Sequence, residues 1–128
     1  MTQTVVMIGT RKGLWIARSE DRTSWELEGP LFNMEEVYSC MVDTREATPR
    51  LLAGAASMWL GPRVRHSDDL GQTWVEGSNG GVGFPEDIDA SVERIWQLVP
   101  GIDDDVVYAG TEPGAIWKST DRGETFEL

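Results

Sequence analysis

The chain has 128 residues, a length for one domain with a sizeable core, and a formal net charge of −11 with a pI near 4.4. That acidity argues against nucleic acid, whose phosphates it would repel, and against anionic membranes. Hydrophobic residues at 40% with six tryptophans fit a folded β domain, and the fourteen glycines and six prolines fit many tight turns.

In chain order, residues 4–10 and 13–17 carry apolar strand patterns, followed by Ser19-Glu20-Asp21-Arg22-Thr23-Ser24-Trp25 and a short strand over 25–27. A second unit follows: a strand over 37–42, a polar stretch over 43–50, strands over 51–55 and 61–66, and the run Ser67-Asp68-Asp69-Leu70-Gly71-Gln72-Thr73-Trp74. Residues 77–93 form the longest irregular segment. A third unit has strands over 94–99, 106–111 and 115–118, then Ser119-Thr120-Asp121-Arg122-Gly123-Glu124-Thr125-Phe126, with a last strand starting at Thr125. Eleven strands are predicted.

Two of these runs spell Ser-x-Asp-x-Gly-x-Thr-aromatic, with Asp69 and Asp121 standing 52 positions apart. Each residue type has a mechanical reason to be there. An aspartate in a turn accepts backbone N–H groups about two residues on, and Gly71 and Gly123 supply a positive φ. Thr73 and Thr125 start the next strand, and Trp74 and Phe126 tuck a large ring under the hairpin. Ser67, Asp69, Ser119 and Asp121 are therefore read as turn staples, and no catalytic residue is assigned. The run from Ser19 is a degenerate third copy, with Asp21 48 positions before Asp69 but no glycine.

A repeat near 50 residues signals stacked supersecondary units such as propeller blades. The motif resembles the Asp box of sialidase-like (BNR) β-propellers. The wider order, Gly-Thr-Arg-Lys-Gly-Leu-Trp over 9–15 and Arg-Ile-Trp-Gln-Leu over 94–98, is similar to WD40/YVTN/BNR-like repeat proteins, which carry exo-α-sialidase or glycosyl hydrolase labels. The resemblance implies an all-β fold of four-stranded antiparallel blades. It also implies that the chain matches the N-terminal third of such proteins. One partial propeller domain over 1–128 is expected, with blades near 1–30, 31–80 and 90–128, open or completed by a second copy. True sialidases carry Arg-Ile-Pro, an arginine triad, an aspartate and a Tyr–Glu pair; here Arg94-Ile95 is followed by Trp96.

In such an architecture ligands sit opposite the boxes, in the loops containing Thr10-Arg11-Lys12, Ser57-Met58-Trp59-Leu60 and Glu112-Pro113, and in the segments 29–36 and 77–93. Arg11, Lys12 and Arg94 either clamp an anion or pair with the many acids. Trp59 either stacks on a sugar ring or packs between blades. Glu86, Asp87 and Asp89 suit calcium by donor type but lack a loop spacing for it, and His66 has no zinc partner. Cys40 allows no intrachain disulfide and reads as a buried thiol.

Candidate ligand residues are thus Arg11, Lys12, Trp59, Arg94 and Glu112, with no cofactor or metal and with a carbohydrate or other small molecule as ligand. The expected function is a non-catalytic repeat scaffold. The alternative is part of a glycoside hydrolase whose catalytic groups lie in further blades or a partner copy. No signal peptide or spanning helix is read, so a cytoplasmic protein is expected.

Overall fold

The computed structural model describes residues 2–59, 61–76 and 82–128, and over these the chain forms ten strands and no helix. They are β1 (Thr4–Thr10), β2 (Gly13–Ser19), β3 (Glu26–Leu31), β4 (Glu36–Asp43), β5 (Arg50–Ser57), β6 (Gly61–Ser67), β7 (Val75–Glu76), β8 (Arg94–Pro100), β9 (Val107–Glu112) and β10 (Ala115–Ser119). Three antiparallel sheets result, each pairing its strands in chain order: β1-β2-β3, β4-β5-β6-β7 and β8-β9-β10. No described helix is long and apolar enough to cross a membrane.

The predicted eleventh strand is a single bridge between Glu127 and Lys118. It starts two residues later than expected because Thr125 stays in the turn. Likewise Thr73 is a turn residue, and β7 begins at Val75. The first sheet also departs from expectation: β3 runs to Leu31 through Gly29 and Pro30, where a loop was read. Leu60 and residues 77–81 of the predicted connections, and Met1, lie outside the described residues.

The sheets stack through two seams. In the first seam Leu14 and Ile16 of β2 meet Val37 of β4 and Leu51, Ala53 and Ala55 of β5. In the second, Leu52 and Val64 meet Ile95, Leu98, Ala109 and Trp117. Alternation explains why β5 serves both: successive side chains point to opposite faces, so a run of apolar residues covers the first sheet with one set and the third with the other. The segment 82–93 is irregular as expected and is anchored in the second seam through apolar side chains, while its acids Glu86, Asp87 and Asp89 stay exposed. Val82 is buried there, and the Phe84 ring meets Trp117 edge-on at 5.0 Å.

Both complete turns adopt one hydrogen-bond pattern. The Ser67 and Ser119 hydroxyl oxygens each accept the amide of the glycine four residues on, at 2.8 Å. One carboxylate oxygen of Asp69 and of Asp121 accepts the Thr73 or Thr125 amide at 2.8 Å, and the other accepts that threonine's hydroxyl at 2.5 Å. The reach is four residues, longer than the two expected, because two consecutive residues are left-handed: Leu70 (φ 59°) before Gly71 (φ 95°), and Arg122 (φ 59°) before Gly123 (φ 89°). These bonds hold Asp69 down at about 2. For Asp121, burial pushes upward but the Thr125 and Ser119 bonds outweigh it, so its carboxyl lies below the ordinary value.

The degenerate turn differs. Asp21 accepts the amides of Thr23 and Ser24, both at 2.8 Å. Trp25 remains exposed instead of folding beneath the hairpin. In the second turn Trp74 is half-buried, with its indole N–H on the Gly71 carbonyl at 3.1 Å and its ring edge-on to Phe32. In the third, Phe126 is buried in the second seam.

Candidate functional site

In each meander the connections β1–β2, β5–β6 and β9–β10 fall at one end, and the serine–aspartate turns fall at the other. At the first end also lie the starts of β4 and β8, and here the pairing registers slip. β4 shifts against β5 between Val37 and Ser39, and β8 shifts against β9 between Ile95 and Gln97. A bulge leaves one residue unpaired and re-aims its side chain. The residues so treated are Tyr38 and Trp96, at the same register position of neighbouring sheets, and their rings lie 5.1 Å apart.

Around this aromatic pair the charged residues form one chain of contacts. Tyr38 donates its hydroxyl to the Glu36 carboxylate at 2.5 Å, and Arg11 reaches the other Glu36 oxygen at 3.4 Å. The Arg94 guanidinium lies 5.8 Å from the centroids of both the Tyr38 and Trp96 rings, a cation–π distance. It pairs with Glu112 at 3.0 Å and with Glu93 at 3.6 Å. The Tyr38 bond, followed by Arg11, holds Glu36 below the usual glutamate range. Tyr38 and then Glu112 hold Arg94 above its ordinary value.

Beside this cluster is a groove of about 510 Å³ lined by Thr10, Arg11, Lys12, Trp15, Pro30, Asn33 and Met34. Thr10 ties the loop by donating its hydroxyl to the Gly13 carbonyl at 2.7 Å and accepting the Lys12 amide at 3.1 Å. A second hollow of about 330 Å³ lies at the opposite end, beside residues 18–26.

Of the sequence candidates, the structure joins Arg11, Arg94 and Glu112 through Glu36 and Tyr38. Lys12 lines the groove beside them, and its side chain makes no polar contact with the cluster among the described residues. Trp59 stands 89% exposed at the tip of the β5–β6 connection, so of its two readings, packing between sheets is the one the geometry does not bear out. Glu36, Tyr38 and Trp96 were missed as site residues. The available signal was the matched pair Glu36-x-Tyr38 and Arg94-x-Trp96 at the start of equivalent strands, which has meaning only if both strands bulge. Glu86, Asp87 and Asp89 are exposed, and no group of three metal-ligating side chains assembles among the described residues. His66 is buried, with burial and then Arg50 lowering its pKa. Cys40 is half-buried, its thiol pushed up by burial.

Comparison with protein-family models and with curated proteins finds no match to this chain. The resemblance to Asp-box repeat proteins therefore rests on the repeated turn and its spacing.

Proposed function

We propose that the three sheets are successive blades of an Asp-box β-propeller, and that this chain is a non-catalytic scaffold presenting a ligand site at the bulged ends of β4 and β8. The observation that carries the reading is the pairing of Tyr38 with Trp96 at one register position on adjacent sheets, edged by Arg11, Arg94, Glu36 and Glu112. Repetition supports the blade assignment: two meanders close on the same turn with the same hydrogen bonds. The first strand of each later sheet also packs on the sheet before it.

The chemistry suits a sugar. Trp96 is 47% exposed and offers a flat apolar face, while the flanking arginines donate and the glutamates accept hydrogen bonds from hydroxyl groups. Glu36 is suited to accept hydrogen bonds and not to serve as a general acid, which needs a raised carboxyl pKa, because the Tyr38 bond and Arg11 shift it downward. Isothermal titration with a panel of neutral and acidic saccharides tests this. Binding that is lost in Trp96→Ala and weakened at least about tenfold in Arg94→Ala, a loss of about 1.4 kcal/mol, is the expected result. Binding unaffected by both substitutions would remove the site.

A further inference from the structure

We propose that a second copy of this chain docks head to tail on the third sheet, its first sheet covering the outer face of β8, β9 and β10. This interface stands apart from the ligand reading, since it uses the faces of the terminal sheets and not the bulged strand ends.

The argument is register. Counting back from the turn serines, Val64 on β6 and Ile116 on β10 hold the same position, as do Met41 and Val99 on the first strands. Val64 is 2% exposed under the third sheet, whereas Ile116 is 72% exposed and Val99 41%. Gly54 and Gly110 are likewise matched. A Cβ on Gly54 would meet Ile95 at 3.1 Å, but a Cβ on Gly110 would meet nothing within 4 Å. The third sheet thus repeats the socket that the second sheet offers, and no described residue fills it.

The reverse face of the first sheet repeats the plug. Val6 and Ile8 occupy the positions of Ala53 and Ala55, which are buried against the first sheet, yet they are 41% and 42% exposed. Leu27 joins Val6 on this face through the cross-strand partner they share, Ala17.

A polar contact completes the match. Arg18, one residue before its turn serine, donates to the carbonyl of Leu70, the left-handed residue in the next sheet's turn, at 2.6 Å. Lys118 holds the position of Arg18 and is exposed. Arg22, with φ 60°, is the left-handed residue of the first turn. Lys118 of one copy is placed to reach the Arg22 carbonyl of the other. Because socket and plug are different surfaces the contact is heterologous, and two copies make two identical seams.

Light scattering after size-exclusion chromatography, over a concentration series, tests this with wild type, Ile116→Glu and Ile8→Glu. Wild type should approach twice the 14.2 kDa chain mass, and each variant alone should remain monomeric. Mixed in equal amounts, the two variants should restore a dimer, because one seam keeps both native faces; a misfolded variant could not complement. Wild type that stays monomeric throughout, a dimer that survives Ile8→Glu, or failure of the mixture to associate would each overturn the proposal. A monomer would assign these faces to further sheets of a longer chain.

Discussion

Arg50 on the second sheet donates a hydrogen bond at 3.2 Å to the backbone carbonyl of Arg122, the left-handed residue in the turn of the third sheet. Arg18 does the same to Leu70 across the first seam at 2.6 Å. The two arginines come from different strands of their sheets, β5 and β2, so this staple recurs by geometry and not by sequence position. Each is also held by an acid on its own sheet, Asp68 and Glu28 respectively.

Removing the staple should loosen a seam. A hydrogen bond from a charged donor contributes about 1.5–3 kcal/mol, so Arg18→Ala is expected to lower stability by that order. Asp68→Ala, which leaves Arg50 its carbonyl partner, should cost less than about 1 kcal/mol, as for exposed ion pairs. Urea unfolding curves of the two variants provide the comparison.

The turn glycines serve conformation and approach together. A side chain at Gly71 would be left-handed and would place its Cβ 2.5 Å from the Ile16 Cδ1 atom. Gly71→Ala should therefore cost more than the roughly 1–2 kcal/mol of a left-handed residue alone. Gly114→Ala, with open space around it, should stay within about 0.5 kcal/mol of wild type. Thermal melts separate the two.

Acid should weaken the second seam through Asp43. This carboxylate is buried, and Arg45 binds both its oxygens while also donating to the carbonyls of Gly101, Asp103 and Val106. The Arg45 bonds hold Asp43 at about 2 against 3.8 when unfolded. The depressed value means the ionised form favours the fold, so stability is complete above 3.8 and falls as the pH drops toward 2, by on the order of 2 kcal/mol. Asp43→Asn should flatten the stability–pH curve over that interval in denaturant titrations.

A second acid-sensitive group acts at milder pH. His66 faces the third sheet with its Nδ1 buried and lacking a hydrogen-bond partner among the described residues, and burial together with Arg50 lowers its pKa from 6.5. The unfolded chain then binds the proton first, so stability falls as the pH drops below 6.5 and levels off once folded His66 titrates. His66→Phe should abolish this slope and leave stability at pH 8 unchanged or raised. Urea midpoints measured at a series of pH values show which holds.

Sequence alone determined the strand order, the position of both complete turns and the division into three antiparallel units. Those features are local: residue spacing and turn chemistry act within a few positions, and alternation reports burial directly. The resemblance to Asp-box propellers marked Arg11, Arg94 and Glu112 as ligand candidates, by their place opposite the turns. Tertiary structure decided what these residues meet. Tyr38 and Trp96 look like ordinary strand residues until two bulges, set by pairing with β5 and β9, turn them toward each other. Val82 and Phe84 look like loop residues until the second seam takes them in. Arg18, Arg45 and Arg50 stand in no motif of the sequence, and backbone carbonyls more than fifty positions away come within their reach only when the sheets pack. Register shifts and cross-seam partners depend on how whole sheets pack, and a local pattern carries no term for that.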